Sequence, residues 1–141
     1  MTTVEVTLVQ PGYGFEAVDQ SNKSFTMDTA PDHGGQDYGV RPMQALLMSL
    51  GGCSGIDIVS ILTKQRQNMT SLKITVSGER EKDMVPALWK TAHVIFHIGG
   101  EVTEEKANYA AKLSIEKYCS VAETLRRAGC EISYEVKLNS N

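Results

Sequence analysis

Residues 3 to 9, TVEVTLV, put Val4, Val6 and Leu8 on one face of an extended chain and Thr3, Glu5 and Thr7 on the other, the period of a half-buried strand. PGYG at 11 to 14 reads as a turn, followed by a short strand over Phe15 to Val18 and a third over Ser24 to Met27. The stretch DTAPDHGGQDYGV, 28 to 40, is rich in Gly, Pro and Asp and reads as loop. Pro42 suits the first position of a helix, and the apolar spacing carries that helix to about Gln67, roughly 37 Å at 1.5 Å per residue. Ala45, Leu46, Leu47, Leu50, Ile56, Ile58, Val59, Ile61 and Leu62 occur all round it, so it is expected to be buried on most sides.

Alternation returns in the second half. Leu72, Ile74 and Val76 form one strand, and Ala92, Val94, Phe96 and Ile98 face inward from another. Thr103, Glu104 and Glu105 supply a cap and an acidic first turn for a helix that carries Ala107, Ala110, Ala111 and Leu113 to about Lys117. Ser120 and Glu123 match the S-x-x-E capping box, which places Ser120 as the cap of a third helix. Cys130, Ile132, Tyr134, Val136 and Leu138 then alternate with polar residues in a closing strand. The order β-β-β-α-β-β-α-α-β, without linker or repeat, predicts a single domain over 1–141 of the α+β class. Strands with one polar face imply antiparallel sheets.

Composition narrows the functions. The 141 residues suffice for one core, and a net charge of −3 supplies no basic footprint for nucleic acid. Asp57 interrupts the best apolar run, so no membrane span is expected. MTTVEVTLVQ lacks the basic-then-apolar pattern of a signal peptide, which makes the cytoplasm the expected location. Three cysteines there do not suggest a disulfide framework; any disulfide would be transient and chemical.

Each cysteine has two readings. Cys53 lies in LLMSLGGCSGIDIVSIL, where Gly51, Gly52 and Gly55 each weaken the helix by about 1 kcal/mol relative to alanine. Either something approaches this helix closely, or the thiol must stay reachable through a shallow notch; otherwise Cys53 is inert packing. Asp57, one turn on, would raise the Cys53 pKa unless a cation offsets it, and Arg41, Lys64 and Arg66 are the nearest in sequence. Cys119, one residue before the expected third helix and close to Lys117, would have a lowered pKa, or would simply fill a helix junction. Cys130 reads as packing. His93 and His97 stand about 13 Å apart along a strand and cannot share a metal, so they read as a solvated face. His33 lies in the loop, Trp89 and Met84 flank Pro86 in a hairpin connection, and Lys64 to Gln67 read as a solvated helix end.

Together GGCSGIDIVSIL and EKYCSV resemble the paired cysteine motifs of the OsmC/Ohr family of osmotically induced and organic hydroperoxide resistance proteins. The likeness extends from Arg41 to Leu138 and includes SLKITVSGERE and CEISYEVKL. It implies an intertwined homodimer, with the glycine-marked helix at its centre and sheets drawn from both chains. The implied activity is a thiol peroxidase needing no metal or organic cofactor. Cys53 becomes a sulfenic acid on attacking a hydroperoxide, Cys119 condenses with it to a disulfide, and a small dithiol or lipoylated protein restores both. In the family's peroxidases an N-terminal arginine and a glutamate early in the central helix pair over the reactive cysteine. Here the first arginine is Arg41, and Met43 stands at the glutamate position. The GGCSG-x-D-x-V-S pattern resembles the less characterised OsmC-like branch. Arg41, Met43, Gly52 and Asp57 are the supporting candidates, and the alternative is a non-catalytic binder of a small apolar or thiol-reactive ligand.

Overall fold

A computed structural model describes residues 1–139 and has the expected α+β composition. The chain forms two compact units, residues 1–46 and residues 47 onward.

In the first unit β1 (Glu5–Gln10), β2 (Gly14–Val18) and β3 (Ser24–Met27) form an antiparallel meander in chain order. The expected half-buried first strand is instead exposed along its length, with Val6 53% accessible. Val4, Val6, Ala17 and Phe25 line an open groove of about 410 Å³ on this sheet. The loop that follows is organised by one buried side chain. Asp28 accepts the backbone N–H groups of Thr29, Gln36 and Tyr38 at 2.7, 2.9 and 3.2 Å. Those amides, Gln36 foremost, hold its carboxyl below the usual carboxylate range.

Helix α1 (Pro42–Lys64) begins at the expected proline and ends three residues before Gln67. Arg66 adopts a left-handed conformation (φ 56°), and Gln67 N–H returns to the Leu62 carbonyl, closing the end. One flank of α1 is buried, not most of its surface. Leu50, Ser54, Ile58 and Leu62 form the buried row, while Met48, Ile56 and Val59 lie exposed on the opposite face. The helix is long and apolar enough to cross a membrane by length and composition, despite Asp57. Its buried row nevertheless belongs to a continuous core shared with the second sheet.

That sheet has the order β4 (Asn68–Arg80), β5 (Trp89–Glu101), β6 (Glu131–Asn139). Ala92, Val94, Phe96 and Ile98 of β5 are the buried centre, as the alternation predicts. The antiparallel expectation holds for β4 with β5 but not for β6, which runs parallel to β5. Alternation looks the same in either direction. What permits the parallel pairing is the long crossover between β5 and β6, which carries α2 (Glu104–Leu113), a π turn (Ser114–Tyr118) and α3 (Ser120–Arg127). Two of the glycines around Cys53 are explained by close packing. A Cβ on Gly55 would come within 2.7 Å of Ile74 Cδ1, and one on Gly51 within 3.4 Å of Val76, so the pair lets α1 settle onto β4. Gly52 meets nothing within 4 Å and lies on the exposed face.

Candidate functional site

Cys53 projects from the flank of α1 between its buried and exposed faces and is half-buried. Cys119 reaches it from the other side of the chain fold. Its thiol, 2% exposed, lies within hydrogen-bonding reach of the Cys53 thiol. The remaining cysteine, Cys130, is buried where β6 begins, and burial pushes its thiol up.

The segment carrying Cys119 departs from the sequence expectation in two ways. First, the second helix does not run unbroken to Lys117. Thr103 caps it as expected, accepting the Lys106 N–H at 3.3 Å, but at Ser114 the winding widens into the π turn. The Cys119 N–H then reaches the Ser114 carbonyl, five residues back, at 2.7 Å. Secondly, Ser120 is the first residue of α3, not its cap. Cys119 occupies the cap position, and its sulfur accepts the Ala122 N–H at 3.4 Å. Glu123, expected to close a capping box, instead pairs with Arg126 at 3.0 Å and Arg127 at 2.9 Å.

Three consecutive residues of the π turn are tied to three different elements. The Ser114 hydroxyl donates to Asp57 Oδ2 on α1 at 2.9 Å, with the Ser54 carbonyl oxygen at 3.3 Å as a secondary acceptor. The Ile115 carbonyl accepts from the Arg126 guanidinium of α3 at 2.7 Å. Glu116 receives the Tyr134 hydroxyl of β6. Sequence reading passed over Ser114, though a signal exists. Ala107, Ala110, Ala111 and Ser114 form a single i, i+3, i+4, i+7 row, so a hydroxyl falls on a face otherwise filled by alanines and must find a partner there.

The electrostatics decide between the two readings of Cys119. Of these, a low-pKa thiol or the filling of a helix junction, the first has support from the Ala122 and Val121 amides, which favour its anion. Burial outweighs them and, with the neighbouring Cys53 adding to it, carries the thiol up to about 11. Cys119 therefore stays protonated near neutrality. Asp57, half-buried, makes no ion pair among the described residues; its partner is the Ser114 hydroxyl. Lys64 and Arg66 are eleven and thirteen residues past Cys53, about 17 Å or more along the helix axis, too far to pair with its sulfur. Arg41 stands immediately before α1, its carbonyl accepting the Ala45 N–H at 3.0 Å, and Met43 is half-buried in the first turn.

Two clefts open near the pair, with Tyr118 lining both. One, about 510 Å³, runs along the Cys53 flank of α1 past Asp57, Ile61 and Lys64 to Leu113. The other, about 320 Å³, is lined by Lys117, Cys119, Ser120 and Arg127. The histidines lie elsewhere. His93 bonds Ser133 at 2.7 Å and Glu135 at 2.8 Å on the polar face of the second sheet, His97 bonds Thr75 at 3.2 Å, and His33 sits beside Asp32 in the first unit. Trp89 carries the Arg80 guanidinium over its ring at 5.4 Å and packs on Gly78.

Comparison with known proteins places this arrangement. Protein YhfA of Escherichia coli K12 is 40% identical over 102 residues, which cover 71% of this chain and 75% of that protein. A hypothetical protein from Aquifex aeolicus VF5 has a similar structure, with a TM-score of 0.80 at 32% identity over 99% of this chain and 98% of the other. The fold alone is shared with an organic hydroperoxide resistance protein OsmC from Legionella pneumophila, with a TM-score of 0.72 at 14% identity over 97% and 96% of the two chains. The model of the OsmC-like protein family matches residues 34–135, which span both motif cysteines, and the chain belongs to that family.

Proposed function

We propose that this protein is a thiol-dependent peroxidase that reduces organic hydroperoxides. Cys53, as thiolate, attacks the outer oxygen of the hydroperoxide. The O–O bond breaks, the alcohol leaves with a proton, and Cys53 becomes a sulfenic acid. The Cys119 thiol then attacks that sulfur, the Cys53–Cys119 disulfide forms, and water departs. A small dithiol or lipoylated protein reduces the disulfide by exchange, ending oxidised itself. No metal or organic cofactor enters these steps.

The observation that carries this reading is the proximity of the two thiols. Cys119, raised by burial, neighbours the Cys53 thiol, so a resolving thiol stands next to the one proposed to attack. A hydroperoxide resistance protein of the same fold, from Legionella pneumophila, adds weight. Homodimerisation belongs to the same proposal. The exposed Met48, Gly52, Ile56 and Val59 share one face of α1, and Ile56 is 72% accessible, a large apolar residue that a second copy would cover. The dimer works in the cytoplasm without nucleic acid or membrane.

Treating the protein with one equivalent of cumene hydroperoxide and mapping its thiols tests the reaction. The wild type is expected to yield the Cys53–Cys119 disulfide, Cys119→Ser a trapped Cys53 sulfenate, and Cys53→Ser neither. Absence of both species in the wild type would exclude the peroxidase. A second reading, a binder of a small apolar or thiol-reactive ligand without turnover, is favoured by the Asp57 carboxylate beside Cys53 and by the lack of a cation from the C-terminal end of α1. Titrating Cys53 separates the two: a pKa well below 8.5 belongs to the peroxidase, one above it to the binder.

A further inference from the structure

We infer that Ser114 is the positioning residue of the thiol pair and Asp57 its anchor, a role that rests on the disulfide chemistry proposed above. Cys53 and Cys119 are 66 positions apart on elements of different kind, and a disulfide tolerates little error. Its sulfurs stand about 2.05 Å apart with Cα atoms within roughly 4.4–6.8 Å. Ser114 is bonded at both ends of that requirement. Its hydroxyl donates to Asp57, one helical turn past Cys53 on the same flank of α1. Its carbonyl accepts the amide of Cys119 itself. The route from one thiol to the other is thus one turn of helix, a side-chain hydrogen bond to a carboxylate, and one closing bond of a π turn.

The burial pattern fits a device of this kind better than incidental packing. Ser114 is fully buried, while every other residue of its row on α2 is alanine. An alanine at 114 would complete that apolar row and leave Asp57 without the hydroxyl that ties the turn to α1. The hydroxyl and the widened turn occur together, and the widened turn is what delivers Cys119 to the cap of α3. Arg126 and Tyr134 hold the next two residues from other sides, but neither reaches α1. Ser114 alone among the three ties the turn to the helix that bears Cys53.

A redox-buffer equilibrium tests this without peroxide. The full chain is equilibrated with graded mixtures of reduced and oxidised dithiothreitol, and the fraction of Cys53–Cys119 disulfide is read by mass after alkylation. Ser114→Ala and Asp57→Ala are expected to make the disulfide about tenfold less favoured, the effect of losing one hydrogen bond to a part-buried charged group. Asp57→Asn is expected to stay within about twofold of the wild type, because its amide oxygen accepts the same bond. A merely structural role would move folding stability and leave this equilibrium in place. Equal midpoints for Ser114→Ala and the wild type overturn the inference, as does an Asp57→Asn variant as impaired as Asp57→Ala. Should Ser114→Ala not fold, the contrast between the two variants at half-buried Asp57 decides alone. A wild type that forms the disulfide with this Ser114 dependence, yet ignores cumene hydroperoxide, keeps the positioning role and loses the peroxidase. A peroxide-reactive protein indifferent to Ser114 does the reverse.

Discussion

Cys53 stands on a 23-residue helix seated by apolar contacts, whereas Cys119 ends a five-residue π turn fixed by individual polar bonds to α1, α3 and β6. The first kind of placement is distributed. Leu50, Ile58 and Leu62 share it with the sheet residues beneath them, and no single polar contact sets the position of the sulfur. The second kind is concentrated, since each bond is made by one named donor and one named acceptor. Losing a residue under α1 should therefore cost global stability. Losing one around the π turn should cost less stability and more alignment of the thiols.

The largest expected effect breaks the distributed side. Leu50→Ala removes a fully buried side chain from the row that seats α1 and leaves a cavity against the sheet, so unfolding in urea should show a loss of about 3 kcal/mol. The midpoint of the dithiothreitol equilibrium, measured on the folded fraction, should hardly move. A Leu50→Ala protein of unchanged stability would show that α1 is not held by its apolar row.

That contrast also explains what could be read from the residues beforehand. The long helix, its start at Pro42, the inward row of β5 and the alternation of β6 follow from period alone, and each lies where the spacing puts it. Strand direction does not follow from period, and β6 proved parallel to its neighbour. Nor does the exposure of β1 and of one face of α1 in a single chain, because patterning marks a residue as apolar without saying what covers it. The π turn was illegible for a further reason. Its residues bond to partners between 11 and 60 positions away, and a local pattern contains no trace of them. Both motif cysteines were recognisable from their neighbours, yet the direction of the Cys119 shift was not. Helix end and Lys117 argued for a lowered pKa, while the burial that decides the matter is a tertiary fact.

The next effect tests the exposed half of α1. Ile56→Glu places a carboxylate at the centre of the face we propose to meet a second copy. Association should weaken at least a hundredfold, about 3 kcal/mol, visible as a monomeric mass at micromolar concentration. Stability of the monomer itself should change little, since the side chain is already 72% accessible in the single chain. A wild type already monomeric at that concentration would remove the dimer from the proposal.

On the concentrated side, Arg126→Ala deletes the guanidinium that serves both the Ile115 carbonyl and Glu123. The charge-assisted bond to the part-buried carbonyl is worth about 2 kcal/mol in urea unfolding, and the solvent-screened helix ion pair goes with it. The dithiothreitol equilibrium should shift by a factor of a few towards the dithiol, because the turn that presents Cys119 is freed on one side. An equilibrium unchanged in Arg126→Ala but altered in Ser114→Ala would restrict alignment to the α1 tie.

Protonation supplies a milder probe. Cys119 titrates in the folded chain near 11, above its ordinary value of 9.0, so the folded state keeps the thiol proton where the unfolded state has released it. The stabilisation is complete below pH 9 and is lost as pH rises towards 11. Tyr134, pushed up to about 12 by burial and the neighbouring Glu116, acts in the same direction somewhat higher. Urea midpoints between pH 8 and 10.5 should fall more steeply for the wild type than for Cys119→Ser, which lacks the thiol. Parallel slopes would mean that Cys119 is no more buried in solution than an ordinary surface thiol.

The smallest effect isolates the second task of Cys119, that of capping α3. Its sulfur accepts the Ala122 N–H, a bond in which sulfur is a weak acceptor and a serine oxygen a better one. Cys119→Ser should therefore keep α3 capped and remain within about half a kcal/mol of the wild type, while Cys119→Ala should lose about 1 kcal/mol with the cap. Both variants abolish the disulfide equally, so a stability difference between them reports the cap and not the redox chemistry. The same logic gives oxidation a structural consequence. A sulfur drawn into a bond with Cys53 must keep or give up the Ala122 amide, and hydrogen exchange at Ala122 should distinguish these outcomes in the disulfide form. Faster exchange there than in the dithiol would mean that the first turn of α3 loosens whenever the pair is oxidised. Unchanged exchange would mean that the π turn alone absorbs the movement.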